Sequence, residues 1–160
     1  MRRRHRAAPL ALALGLSAWG APGCTSVVPD ALRTQLDRAV TYPQVAQNPE
    51  ALAGRIVLMG GEVLRAEPGG RGLQLTLAER PLSPVDESPM LGQESRGDLV
   101  VEVPGGMGAS FRAGDVITVV GTVLGRAPGG GRPAVPHLES RSIYVWAVAR
   151  PELPSAAPFR

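Results

Sequence analysis

Alternating apolar and polar positions predict β-strands over much of the chain from residue 55 to residue 148. The alternation is clearest in residues 71–79 (RGLQLTLAE), where leucines at every second position are separated by Gln74 and Thr76. Four further stretches have a similar pattern: residues 55–65, 98–103, 115–124 and 138–148. Because these stretches are short and separated by turns rich in Gly and Pro, the sequence predicts an all-β fold, either a small barrel or a sandwich.

A Gly60-Gly61 pair interrupts the first predicted strand and favours the barrel. Ile56 and Leu58 share one face before the pair, and Val63 is most easily assigned to that face after it. Such a parity change requires one inserted residue, which a β-bulge supplies, and glycine inside a strand often marks a barrel corner. A bent strand followed by four more is typical of the five-stranded oligonucleotide/oligosaccharide-binding (OB) barrel, which we expect here.

The residues before the first strand are less regular. Residues 29–38 (PDALRTQLDR) place Leu32 and Leu36 four apart, with proline at the first helical position and Asp30 in the first turn, which predicts a short helix. The alternative is an unstructured tether. Residues 41–53 are expected to be irregular, since two prolines interrupt them. The predicted organisation is a cleaved leader (1–23), a tether with a short helix (24–50), a barrel domain (51–150) and a flexible C-terminal tail (151–160).

The first residues of the chain have the pattern of an export signal. A basic head (residues 1–6) precedes an apolar stretch (residues 10–19), and small residues then lead into Cys24. This order is typical of a secretory signal peptide, and the apolar stretch is shorter than the roughly 20 residues that a membrane-spanning helix needs. The chain has one cysteine, which excludes an intrachain disulfide.

The position of Cys24 resembles the lipobox of bacterial lipoproteins. That resemblance implies cleavage before Cys24 and lipid attachment to its sulfur and to its new amino terminus. A thiolate is the nucleophile that the lipid transfer requires, and an unpaired thiol in an exported chain is otherwise a liability. The alternative is an ordinary secreted protein with an incidental cysteine.

The net charge changes sign once the predicted leader is removed. Seventeen basic residues, all arginine, and fourteen acidic residues give a formal charge of +3. Four of the arginines lie in residues 1–6, where no acidic residue occurs, so the remaining chain has a charge of −1. With only 4% aromatic residues, the chain also lacks the stacking platforms of a single-strand-binding surface. Nucleic acid is therefore not an expected partner.

The residue types that perform catalysis or bind metals are scarce. His5 leaves with the leader, so His137 is the one histidine of the mature chain, and we expect it on the surface. Four acidic residues between the second and third predicted strands lack the ligand spacing of a calcium loop and are interpreted as solvated loop charge: Asp86, Glu87, Glu94 and Asp98. No serine has a nucleophile pattern. We expect no enzymatic activity, no metal site and no cofactor.

Two aromatic residues near the end of the last predicted strand are candidates for a surface contact. If Ile143 and Val145 point into the barrel, Tyr144 and Trp146 point to the opposite face. There they would contact membrane headgroups or a partner protein. The alternative is that a terminal segment of the chain covers them.

Several stretches of the chain resemble the Slp family of outer-membrane lipoproteins. They are residues 48–64 (NPEALAGRIVLMGGEVL), residues 120–125 (VGTVLG) and residues 143–146 (IYVW), together with a Cys-Thr-Ser start about thirty residues before the first strand. The resemblance covers most of the chain from Cys24 onwards. It contributes no family-wide catalytic or ligand-binding residues.

The resemblance implies a location and a general role. A diacylglyceryl group and an N-linked acyl chain such as palmitate on Cys24 would hold the barrel at the outer membrane of a Gram-negative bacterium, facing the periplasm. Thr25 after the cysteine, in place of aspartate, agrees with sorting to that membrane. The expected role is non-catalytic binding or scaffolding in the cell envelope, with an envelope protein as a candidate partner. The alternative is an OB-type periplasmic module that binds a glycan or oligoanion. The sequence does not predict an oligomeric state.

Overall fold

Five strands close into a barrel in the computed structural model, which describes residues 26–105, 110–128 and 134–147. The strands are β1 (Ile56–Gly69), β2 (Gly72–Glu79), β3 (Gly97–Pro104), β4 (Val116–Arg126) and β5 (Pro136–Trp146). They are arranged in the order β1-β2-β3-β5-β4, and β4 pairs with β1 to close the barrel. β3 and β5 are parallel, and the other neighbouring strands are antiparallel.

This closed arrangement confirms the predicted all-β, OB-like barrel and excludes the sandwich, because each of the five strands has two neighbours. β1 continues four residues beyond its predicted end at residue 65. It does so because Gly69 pairs with Gly72 and leaves only two residues to turn the chain. The alternation in β2 is also as expected, since Leu75 and Leu77 are completely buried.

β1 bends where it changes partner. It pairs with β4 from Ile56 to Glu62 and with β2 from Gly61 to Gly69. The glycine pair therefore lies at a barrel corner, as expected. The predicted bulge at Gly60-Gly61 is wrong, however, because the β1–β4 register runs through both glycines without a shift. The bulge lies three residues later, between Val63 and Arg65.

The inward face of β1 also differs from the sequence prediction. Val57, Met59 and Val63 are buried in the barrel core, and they share one parity through the glycine pair. Ile56 and Leu58, which were assigned to the core face, lie on the other side and are partly buried. No parity change, and hence no inserted residue, is therefore needed at the glycines.

Two short helices precede the barrel, α1 (Asp30–Arg33) and α2 (Tyr42–Gln47). α1 is shorter than the helix predicted over residues 29–38. α2 lies within the stretch predicted to be irregular, and a capping box begins it: the Gln44 side chain accepts a hydrogen bond of 2.7 Å from the Thr41 backbone N–H. Pro43 is tolerated because the first turn of a helix has no backbone partner for its missing N–H.

The N-terminal segment, residues 26–50, packs on the barrel. Val28 is 2% exposed, and Tyr42 and Val45 of α2 belong to the hydrophobic core. The Asp37 N–H also donates a 2.8 Å hydrogen bond to the Ile56 carbonyl at the start of β1. Neither of the two helices in the described residues has the length and apolar character needed to cross a bilayer.

Candidate functional site

The loop between β2 and β3 fastens the N-terminal segment to the barrel through Glu87. One oxygen of its carboxylate (Oε2) accepts hydrogen bonds from the Ser26 hydroxyl at 2.8 Å and from the Val27 N–H at 3.1 Å. The other oxygen (Oε1) accepts two from the Arg38 guanidinium, each 3.1 Å long. The Glu87 side chain is only 13% exposed. The interpretation of Glu87 as solvated loop charge is therefore wrong, whereas Glu94 and Asp98 are exposed as expected.

The backbone around Glu87 is held in an unusual conformation. Glu87 has a φ of 64°, in the left-handed region that costs a non-glycine residue about 1–3 kcal/mol. The loop is closed by hydrogen bonds from the Ser83 N–H to the Ser88 carbonyl and from the Glu87 N–H to the Ser83 carbonyl. Hydrogen bonds from the hydroxyls of Ser83 and Ser88 lower the pKa of Asp86 and stabilise the ionised carboxylate inside the loop.

Trp146 is connected to the same loop by two consecutive hydrogen bonds. The Trp146 indole N–H donates to the Thr118 hydroxyl at 3.0 Å, and that hydroxyl donates to the Glu87 carbonyl at 2.8 Å. The Tyr144 ring packs edge-on against the indole, with 4.7 Å between the ring centroids. Tyr144 is 45% exposed and Trp146 is partly exposed.

The strand register explains the placement of this aromatic pair. Tyr144 is opposite Thr118 in β4, whereas Ile143 is opposite the fully buried Val119. Ile143 packs against the core as expected, but Val145 is 48% exposed and does not. Val145 is the next-to-last residue of β5, although Ile117 opposite it in β4 is fully buried.

A cavity of about 850 Å³ lies between α2 and the ends of three strands. Its walls include Tyr42 and Gln47 from α2, Arg96 before β3, Arg126 at the end of β4 and Val135 before β5. Sequence reasoning did not find this cavity because one wall is the helix that it missed. The Thr41-x-x-Gln44 capping box is the signal that could have shown that helix.

The two arginines of the cavity wall are paired with carboxylates just outside it. Arg96 forms two hydrogen bonds with the Glu79 carboxylate, which is 1% exposed, and its guanidinium lies 5.8 Å from the centre of the Tyr42 ring. The hydrogen bond to Glu79 raises the pKa of Arg96. Arg126 pairs with Glu50 at 3.3 Å. Both arginines therefore already have carboxylate partners.

Tyr42, which also lines the cavity, has a strongly shifted pKa. Its hydroxyl donates a 2.9 Å hydrogen bond to the Asp98 carbonyl. Burial raises the pKa of Tyr42 to about 12, and the negative charges of Glu79 and Asp98 add to the effect. The neutral phenol is favoured because a phenolate here would be poorly solvated and close to two carboxylates.

This shift predicts a pH dependence of stability. In a Tyr144→Phe chain, Tyr42 is the one remaining tyrosine, and its native titration should be centred near pH 12. Unfolded in urea, the same tyrosine should titrate at about 10. The contribution of Tyr42 to stability is therefore complete below about pH 10 and is lost as the pH rises towards 12. Tyrosinate absorbance measures both titrations. A native midpoint equal to that in urea would contradict the buried, hydrogen-bonded placement of Tyr42.

His137 is buried, which corrects the expectation of a surface histidine. It is the second residue of β5, and its Nε2 lies 3.2 Å from a Glu102 carboxylate oxygen on the parallel neighbour β3. In the described part of the chain, no group of three or more His, Cys, Asp or Glu residues is placed to hold a metal ion. The leader, Cys24 and the C-terminal tail lie outside the described residues.

Comparisons with known proteins identify a family. A family model described as "Outer membrane lipoprotein Slp family" matches residues 22–159. A search of curated proteins finds no significant match. Among solved structures, an aspartyl tRNA synthetase from Entamoeba histolytica is similar with a TM-score of 0.46 and 15% identity, over 92% of this chain and 30% of that one.

A second similar structure is a putative aspartyl-tRNA synthetase from Leishmania major Friedlin. It has a TM-score of 0.39 and 12% identity, over 72% of this chain and 24% of that one. The chain therefore spans less than a third of either synthetase.

Proposed function

Because the chain belongs to the Slp family of outer-membrane lipoproteins, we propose that it is anchored by lipid on Cys24, faces the periplasm and acts there by binding or scaffolding. The observation that carries this proposal is the extent of the family match. The match begins at residue 22, just before the cysteine, and continues through the whole barrel. Cys24 and the barrel therefore lie within the same family match.

The structural use of the ionisable groups supports a non-catalytic role. Among the described residues, the buried Glu79 is bound by Arg96. The partly buried Glu87 holds the N-terminal segment, and the buried His137 lies against Glu102. General acids, bases and nucleophiles need a free position facing a substrate. These groups face structural partners.

A Cys24→Ser chain should lose both lipid labelling and membrane attachment when expressed from the full sequence. A hydroxyl is a far weaker nucleophile than a thiolate, so the diacylglyceryl group would not be transferred. The wild-type protein, with three acyl chains, should stay in the membrane fraction after a salt wash, since stable anchoring takes at least two membrane signals. Radiolabelled palmitate incorporation and membrane fractionation measure the two effects.

Thr25→Ser is the matched control, because it changes the neighbouring residue and keeps the thiol. This chain should be labelled and retained like the wild type. If the Cys24→Ser chain still fractionates with membranes after the salt wash, the anchor lies elsewhere and the proposal is wrong.

The cavity beside α2 favours a second candidate, an OB-type periplasmic module that binds a glycan or oligoanion. Its polar wall, from Tyr42 and Gln47 to the two arginines, could hydrogen-bond a sugar or an anionic group. The carboxylate partners of Arg96 and Arg126 count against a highly charged ligand. Cross-linking in intact cells separates the candidates: captured envelope protein supports scaffolding, and captured glycan supports the module.

A further inference from the structure

Glu87 binds Ser26 and Val27, the first described residues after Cys24. We name the Glu87 clasp as Glu87 with its three partners Ser26, Val27 and Arg38, and the Trp146 patch as Val85, Tyr144 and Trp146. We propose that the Glu87 clasp holds the barrel in one orientation on the membrane, with the Trp146 patch in the lipid headgroup region. This inference rests on the proposed lipidation of Cys24.

The distance from the clasp to the lipidated residue is short. Cys24 is two residues before Ser26, and an extended chain spans at most about 3.6 Å per residue, so their Cα atoms are within about 7 Å. Ser26 and Val27 are bound to Glu87, and Val28 is 2% exposed. At most about 7 Å of chain therefore separates the proposed lipidated residue from the clasp, which is too short to move the barrel far from the bilayer. The acyl chains must enter the membrane next to Glu87.

The Trp146 patch lies beside this point of attachment. Glu87 and Trp146 are separated by a single side chain, that of Thr118, which hydrogen-bonds to both. Tyr144 packs on the indole of Trp146. Val85, two residues before Glu87, is 70% exposed, the highest value among the exposed large hydrophobic residues of the described chain. All three residues are therefore connected to the point of attachment, either through Thr118 or through the chain next to Glu87.

The chemistry of the patch fits a membrane interface. Tyr and Trp are enriched at the headgroup level, where the apolar ring is partly buried in lipid and the polar end stays hydrated. In the patch, the indole N–H of Trp146 is already satisfied by the buried Thr118, and Tyr144 is 45% exposed beside it. The exposed surface therefore combines apolar ring atoms with the exposed side chain of Val85 on the β2–β3 loop. Because three acyl chains are enough for stable attachment, the patch sets the orientation of the barrel rather than whether it binds.

The strained backbone of Glu87 agrees with a dedicated role for the clasp. A left-handed conformation in a non-glycine residue persists where surrounding contacts hold it in place. Here the carboxylate binds the N-terminal segment, and the carbonyl of the same residue binds Thr118 beneath Trp146. One residue thus links the anchor side of the molecule to the patch.

Trp146 itself provides the test, because it is the one tryptophan of the mature chain; Trp19 belongs to the leader. The lipidated mature protein, expressed from the full sequence, is reconstituted into phosphatidylethanolamine and phosphatidylglycerol vesicles that contain lipids brominated near the headgroup end of the acyl chain. In the wild type, bromine should strongly quench Trp146 fluorescence. In Glu87→Ala, residues 26 and 27 lose their contacts with the loop while Tyr42 and Val45 stay in the core. The lipidated end of the chain then no longer fixes the tilt of the barrel, so most of this quenching should be lost while the protein still floats with the vesicles.

Glu94→Ala is the matched control, since Glu94 is an exposed glutamate in the same β2–β3 connection; its quenching should equal that of the wild type. A double variant with Ser26→Ala and Arg38→Gln removes the side-chain hydrogen bonds that the Glu87 carboxylate accepts from Ser26 and Arg38. This variant should behave like Glu87→Ala. It also keeps the test valid if Glu87→Ala does not fold, which thermal melting reports.

Each other result contradicts a separate step of the inference. Unquenched Trp146 fluorescence in vesicle-bound wild-type protein would show that the patch does not face lipid. The proposed lipid anchor would be unaffected by this result. Equal quenching in the wild type and in both clasp variants would show that Glu87 does not set the orientation. Shielding of Trp146 from both brominated lipid and aqueous acrylamide would indicate a second copy of the chain on the patch. Failure of the wild type to float with vesicles would instead overturn the proposed function.

Discussion

A Gly61→Val substitution should prevent stable folding of the barrel or lower its melting temperature severely. A Cβ atom at Gly61 would overlap the backbone carbonyl of Ala78 on β2, and backbone atoms in a paired strand cannot move aside. Overpacking of this kind costs about 1–3 kcal/mol and sometimes more, and we expect the upper end. That is a large part of the roughly 5–15 kcal/mol by which a domain is stable. Thermal melting of the chain from residue 25 to residue 160 measures the loss.

Gly105→Val is the control, because the nearest atom to its added Cβ would be at an ordinary distance of 3.6 Å. It should melt close to the wild type. Gly61→Ala isolates the effect of the Cβ itself and should already destabilise the barrel. Similar melting temperatures for Gly61→Val and Gly105→Val would show that the close approach of β1 and β2 at the corner does not exist.

The reason for glycine at this corner could not be obtained from the sequence. Neither Gly60 nor Gly61 has a positive φ, so conformational freedom does not explain them; the close approach of a neighbouring strand does. The preceding IVLM run is apolar at every position and therefore gives no parity from which to choose the core face. Its second face is also covered, because Leu82 and Pro89 lie beside Gly60. In β2, by contrast, polar residues alternate with leucines and the core face could be predicted.

The candidate site was only partly predictable for a related reason. Helix α2 has a local signal in its capping box, and reading the prolines as breakers hid it. The Glu87 clasp has no local signal: Glu87 and Ser26 are 61 positions apart, and only the folded barrel brings them together. His137 is similar, because the parallel pairing of β3 with β5 places it against Glu102. Periodicity identifies strands, but it does not show which side chains meet across them.

Breaking the Glu79–Arg96 pair should give the second large loss of stability. Glu79 is 1% exposed, and Arg96 is the residue that neutralises its charge, through hydrogen bonds to both carboxylate oxygens. In an Arg96→Met chain, the carboxylate remains buried without a partner, which costs about 3–5 kcal/mol in buried pairs. Because the Arg96 side chain is 36% exposed, solvent reaches part of the site, and we expect the lower end of that range.

Two comparisons distinguish the destabilisation caused by the unpaired Glu79 carboxylate from that caused by the lost packing of the Arg96 side chain. A double variant with Glu79→Gln and Arg96→Met removes the charge and should recover much of the melting temperature that Arg96→Met loses. Arg71→Met breaks a pair with Glu139 in which the arginine is 72% exposed, and such surface pairs contribute at most about 1 kcal/mol. If Arg96→Met melts like Arg71→Met, the Glu79 carboxylate is solvated. If the double variant is as unstable as Arg96→Met, the loss comes from the contact of Arg96 with the Tyr42 ring, and the buried charge does not determine the stability of this end of the barrel.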